Sequence, residues 1–99
     1  MKTFRLTSKA KNDLKQLAKD TQNKWGKNQR NTYLKNLDDA FHLIASKPEI
    51  GKKCDFIKSG YHKYPQGSHV IFYRKCSTTN IRIIRILHKR MDFESKFDD

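Results

Sequence analysis

The period of apolar and polar residues changes along this chain, and each period predicts an element. Between Lys2 and Thr7, Phe4 and Leu6 alternate with Thr3, Arg5 and Thr7, the pattern of a half-buried strand. Thr7 and Ser8 follow, residue types whose side-chain oxygen caps a helix N-terminus. From there Ala10, Leu14, Leu17, Ala18, Thr21 and Trp25 fall on one stripe of a helix, with lysines on the other face. The stripe predicts a core face that includes Trp25. Gly26 ends this helix, and a second amphipathic helix starts near Asn28. It buries Tyr33, Leu34, Leu37, Phe41 and Ile44 before Pro48 stops it. So short a connection makes the two helices an antiparallel hairpin.

Lys47 to Ser59 is polar, carries Pro48 and Gly51 and shows no period, which predicts an exposed loop. Beyond it, Tyr61 to Tyr64, His69 to Lys75 and Asn80 to Leu87 are rich in β-branched and aromatic residues. Pro65-Gln66-Gly67 and Ser77-Thr78-Thr79 separate them as turns, giving a three-stranded antiparallel meander. Strict alternation in the last strand puts Arg82, Ile84, Ile86 and His88 on one side, and Ile81, Ile83, Arg85, Leu87 and Lys89 on the other. Neither side is wholly polar, so this strand is central, with helices over one face and a partly apolar groove on the other. Met91 to Phe97 forms one amphipathic turn through Met91, Phe93 and Phe97, ahead of the acidic end Asp98-Asp99. The order of strand, helical hairpin, three-stranded meander and short C-terminal helix predicts an α+β fold, with the N-terminal strand at one side of the meander.

A chain of 99 residues closes one core, so residues 1–99 form a single domain. The longest apolar runs are too short to span a bilayer and the first residues lack the apolar stretch of a signal peptide, which predicts a soluble cytoplasmic protein with no membrane partner. Two cysteines, Cys54 and Cys76, with no Cys-x-x-Cys pair, predict free thiols rather than a disulfide framework. His62 and His69 with a cysteine match no standard ligand spacing, so neither a metal site nor a cofactor is expected.

Charge changes the picture most. The net charge is +12, and from Phe56 to Met91 there is no Asp or Glu. Lys58, Lys63, Arg74, Lys75, Arg82, Arg85, Lys89 and Arg90 all fall within that stretch. A solvated cationic face is the usual reading of such a run, but one spanning the whole meander repels itself and calls for an anionic partner. No known nucleic-acid reader motif is present, so sequence-specific nucleic-acid binding is not expected.

Trp25-Gly26, Pro48-Glu49-Ile50-Gly51, Gly60-Tyr61 and Ile84-Arg85-Ile86-Leu87-His88-Lys89-Arg90-Met91-Asp92 occur in that order. With this succession of elements, the chain resembles the ParE/RelE superfamily of bacterial type II toxins over nearly its whole length, and the ParE branch more than the RelE branch. The resemblance implies a toxin that acts on the DNA gyrase A subunit and blocks replication, with no cofactor and no chemistry of its own. It implies neutralisation by a ParD-like antitoxin whose acidic, partly disordered tail folds onto the basic sheet.

On that resemblance, His62, Lys63, Arg85, His88, Lys89, Arg90, Met91 and Phe93 are candidate target contacts. Lys58, Arg74, Lys75 and Arg82 are candidate antitoxin contacts. His62 departs from the family, which often has arginine after Gly-Tyr. The alternative is a RelE-like, ribosome-dependent mRNA endonuclease, with His88 as acid or base and Arg85 and Arg90 on phosphate. In that branch an arginine is usual where Val70 stands here, and a tyrosine near the position of Phe93; neither replacement can hold phosphate or move a proton. Arg85 and His88, three apart on a strand, also face opposite ways. No catalytic residue is therefore assigned.

Overall fold

The computed structural model describes residues 3–77, 80–91 and 93–97. Strand β1 (Thr3–Leu6) leads into helices α1 (Ser8–Trp25) and α2 (Lys27–Ser46). A 3-10 turn (Pro48–Ile50) and strand β2 (Lys52–Lys53) follow, then β3 (Tyr61–Gln66), β4 (His69–Lys75), β5 (Asn80–His88) and the short helix α3 (Phe93–Lys96). One five-stranded sheet has the order β1-β5-β4-β3-β2, with β1 parallel to β5 and the other pairs antiparallel. The expected α+β architecture is present. The expected turn at Thr78 and Thr79 and the acidic end at Asp98 and Asp99 lie outside the described residues.

Thr7 begins the hairpin as predicted: its hydroxyl accepts the Ala10 N–H at 3.1 Å and caps α1. Gly26 joins the helices at φ +92°, a backbone angle that side chains with a Cβ rarely adopt. The hairpin lays Ala10, Leu17, Leu37, Phe41 and Ile44 on one face of the sheet, against Ile71, Tyr73, Ile81, Ile83 and Ile86. Trp25 does not join that core, being 65% exposed. Instead it lines an open cleft with Tyr33, Ser68 and His88 at the end of the hairpin.

The segment from Lys47 to Ser59 is more than the exposed loop predicted from its polarity. Lys52 and Lys53 pair with Lys63 and His62 as a short edge strand. Pro48 and Cys54 are buried. The Tyr73 hydroxyl, wholly buried, donates to the Pro48 carbonyl at 2.6 Å and accepts the Gly51 N–H at 2.8 Å. A Cβ on Gly51 would stand 2.2 Å from that oxygen, so only glycine fits. The Pro-Glu-Ile-Gly motif is a docking clip for a core tyrosine.

Strict alternation in β5 also fails. Phe72 pairs with Arg85 and Tyr73 with Ile83, leaving Ile84 as an extra residue in a β-bulge. Ile81, Ile83, Ile86 and His88 consequently share the helix-covered face, whereas Arg82, Arg85 and Leu87 share the opposite one. That far face carries a second small core of Cys54, Tyr61, Val70, Phe72 and Leu87, covered by Ile57, Ile84, Phe93 and Phe97. Phe93 and Phe97 meet the Phe72 ring edge-on at 4.9 and 5.1 Å. Met91, grouped with them from sequence, is exposed and lines a cleft on the helix-covered side.

Replacing Tyr73 by Phe strands a buried carbonyl and a half-buried N–H, and should cost about 1–3 kcal/mol. The melting temperature falls by something on the order of 10 °C. Gly51→Ala destabilises as well, and in the double variant the two losses are less than additive, since both break the same clip; thermal unfolding of the four proteins measures this.

Candidate functional site

β5 is the strand from which the site is built. β1 pairs only with its first half, as far as Ile83. Past that point the open edge is closed by α1. The Thr7 hydroxyl donates to the Ile84 carbonyl at 2.8 Å, and the Asp13 carboxylate accepts the Ile86 N–H at 3.0 Å. The same carboxylate holds Arg85 through two nitrogens at 2.7 and 2.9 Å, in a pair with both side chains largely buried. Arg85 reaches onward to the Lys96 carbonyl at 3.2 Å, so one guanidinium ties α1 to the end of α3. Its geometry is that of a clasp between elements.

On the helix-covered side, His69 of β4 lies directly opposite His88 of β5, with the rings edge-to-face at 5.4 Å. The His69 Nδ1 is 2.7 Å from the Tyr33 hydroxyl, which also accepts the Ser68 N–H at 3.0 Å. Burial, then the neighbouring His88, pushes the His69 pKa down from its ordinary 6.5, against the weaker opposite pull of Asp13 and Asp20. Burial likewise pushes the Tyr33 hydroxyl up, so it stays protonated at neutral pH. A cleft of about 410 Å³ opens beside His88 between Trp25, Tyr33 and Ser68. The His88 Nδ1 accepts the Arg90 N–H at 3.1 Å, which fixes the turn leaving β5.

The candidate target contacts do not form one cluster. His88 and Met91 line clefts on the helix-covered side, and Lys89 and Arg90 leave β5 on an exposed turn. Arg85 faces the other side of the sheet and is engaged by Asp13. Phe93 is folded onto Phe72. His62 stacks on Tyr73 at 5.5 Å, whereas its neighbour Lys63 lies over the Phe56 ring on the far face. Among the candidate antitoxin contacts, Arg74 and Arg82 lie opposite each other on that far face, and Lys58 is close by on the rim of a groove. Lys75, one residue on from Arg74, projects to the other side.

Sequence reasoning missed two residues. Arg5 pairs in register with Arg82 and so stands in line with Arg74. The alternation that placed Arg5 on the polar side of β1 was legible, but its parallel partner was not. Asp13 reads as an ordinary polar helix position; only the short β1 exposes why a carboxylate is needed there. Cys54 and Cys76 are both free, as expected, and burial pushes the Cys54 thiol up, leaving it in the unreactive protonated form.

Comparison with known proteins settles the family. The model of the ParE toxin of type II toxin–antitoxin systems matches residues 4–93. This chain belongs to the ParE toxin family. It is 37% identical over 91 residues to Toxin ParE1 of Mycobacterium tuberculosis, covering 92% of this chain and 93% of that one. It is 35% identical over 92 residues to Toxin ParE1 of Caulobacter vibrioides, covering 93% and 94%. Two solved structures share the fold. One is from the chromosomal ParDE system of P. aeruginosa, with a TM-score of 0.74 at 16% identity over 89% of this chain and 96% of that one. The other is from the RelBE2 toxin–antitoxin complex of Mycobacterium tuberculosis, with a TM-score of 0.65 at 22% identity over 89% and 98%. The predicted ParE/RelE-like fold of this ParE-family chain is thereby confirmed.

Two measurements check the site's construction. Asp13→Ala leaves the Arg85 guanidinium and the Ile86 N–H without their acceptor and should cost about 2–4 kcal/mol in chemical denaturation, as loss of one partner of a largely buried pair does. Because the folded-state pKa of His69 is lowered, the unfolded chain binds the extra proton first as pH falls. Its contribution to stability is complete above about 6.5 and is lost progressively below it. The melting temperature of this ParE-family protein therefore declines between pH 6.5 and 5, and His69→Gln makes that slope shallower.

Proposed function

We propose that this chain is a cytoplasmic toxin that binds DNA gyrase through its A subunit and blocks replication, and that a ParD-like antitoxin with an acidic tail neutralises it. No step of bond cleavage is needed from the toxin itself. One observation carries the reading: among the described residues, His88 and Arg85, two groups that a nuclease would gather, emerge on opposite faces of the sheet.

RNA cleavage through the 2′-hydroxyl requires a base, an acid and a cation on the phosphate within one pocket. Here His88 and His69 lie on the helix-covered face, Arg85 emerges on the other and is held at the strand edge by Asp13 of α1, Arg90 stands on an exposed turn, and Val70 and Phe93 contribute only carbon to the far-face core. A cationic surface on which the described residues hold these groups apart suits docking onto other macromolecules. Membership of the ParE family supports the same reading, as do two structural neighbours that come from toxin–antitoxin systems. The far-face arginines supply the charge that an acidic tail would meet.

Induced expression in a bacterial host, alone and with an acidic antitoxin, tests this. The expected result is growth arrest relieved by the antitoxin, with intact transcripts, inhibited supercoiling by purified gyrase and accumulation of cleaved gyrase–DNA complexes. Rapid transcript cleavage with unaffected supercoiling would instead establish the RelE-like nuclease. Unimpaired growth would point to a binding module without toxicity.

A further inference from the structure

The far face of the sheet is only half covered. The loop through Cys54 and helix α3 close it over Tyr61, Val70, Phe72 and Leu87, but leave open the end that carries the first half of β5. In that open half the register aligns Arg5 of β1 with Arg82 of β5, Arg82 with Arg74 of β4, and Arg74 with Tyr61 of β3. Arg5, Arg82 and Arg74 are exposed, and among the described residues none of them is paired with a carboxylate. Three like charges directly opposite one another across adjacent strands destabilise a sheet. Among the described residues no carboxylate offsets that repulsion.

The row does not end on a bare surface. Tyr61 and Ile84 continue it into a groove of about 320 Å³, floored by those two residues and Phe97 and rimmed by Lys58 and Lys96. A purely phosphate ligand has no use for such a floor, whereas a peptide side chain fills it. Spacing narrows the partner further. Neighbouring strands stand about 4.8 Å apart, so a ligand running along the row must present negative charges at close to that interval. Residues three or four apart on one face of a helix advance by about 4.5–6 Å along its axis. Alternate residues of an extended chain are separated by about 6.6 Å and fall out of step by the third arginine.

We infer that Arg5, Arg82 and Arg74 form a cross-strand docking row for an acidic helix of the neutralising partner, lying across the strands with carboxylates three or four residues apart and one apolar side chain in the groove beside Tyr61. This rests on the reading of the chain as a toxin held by an acidic antitoxin, and it assigns Arg5 a role alongside Arg74 and Arg82 while leaving Lys75 out.

The test uses the full chain and three probes at 150 mM salt: a labelled helical peptide of about 18 residues with glutamates repeating every three or four positions and one leucine flanking them, the same residues in scrambled order, and a duplex DNA of about 20 base pairs. The patterned peptide should bind on the order of tenfold more tightly than the scrambled one. Combined substitution of Arg5, Arg74 and Arg82 by Gln should weaken it by roughly 30-fold or more, each exposed pair contributing severalfold. The charge-matched control, Lys11, Lys15 and Lys19 to Gln on the outer face of α1, should change it less than threefold, with thermal unfolding confirming that both variants fold. Equal losses in the two triple variants, or equal binding of the two peptides, would overturn the proposal in favour of undirected electrostatics. Tighter binding of the DNA, lost with the same three arginines, would overturn it in favour of a nucleic-acid surface. Growth arrest and gyrase inhibition by the unaltered chain would survive either outcome, so failure of the row is distinguishable from failure of the toxin reading.

Discussion

The structure turns on one strand having to be central over its whole length while its neighbour covers only half of it. Unpaired backbone groups on a buried strand cost free energy comparable to a lost hydrogen bond. β1 satisfies β5 as far as Ile83, and beyond that point α1 supplies the missing partners from its side chains, Thr7 for the Ile84 carbonyl and Asp13 for the Ile86 N–H. Thr7 does this while capping the helix, so one threonine ends the strand, starts the helix and continues the ladder. The β-bulge at Ile84 falls at the same place. It turns Ile86 and His88 toward the hairpin and leaves Arg85 on the far side, from where it can grip Asp13.

That arrangement gives the sheet two unequal cores. The hairpin side is deep and holds the larger share of buried side chains, and the Tyr73 hydroxyl pins the chain between helix and sheet to it. The far side is shallow, and α3 brings Phe93 and Phe97 onto Phe72 over part of it. A small domain has little apolar surface with which to cover both faces of a five-stranded sheet. The uncovered part carries Arg5, Arg74 and Arg82, all exposed and, among the described residues, without a carboxylate partner.

The same sheet sorts several polar groups onto its two faces. His69, His88 and Tyr33 gather on the hairpin side, whereas Arg74, Arg82 and Arg85 emerge from the other face. Within a fold shared by ParE and RelE structures, the side on which each polar group emerges decides what the surface can do.

Local pattern alone determined the helical hairpin, the three long strands, the cap at Thr7 and the acid-free cationic stretch, because each is written in periodicity, in turn and capping residues, or in composition. The family was likewise legible in short motifs kept in order, of which Pro48 to Gly51 proves to be the clip that seats Tyr73. Only the tertiary structure decided that β1 lies parallel beside β5, that a bulge reverses the facing of β5 after Ile83, and that Lys52 and Lys53 add an edge strand. It also left Trp25 in solvent, paired Asp13 with Arg85 and brought Arg5 into line with Arg82 and Arg74. Each of these depends on which distant segments meet and in what register, and contacts between residues up to 77 positions apart leave no trace in the local period of the chain.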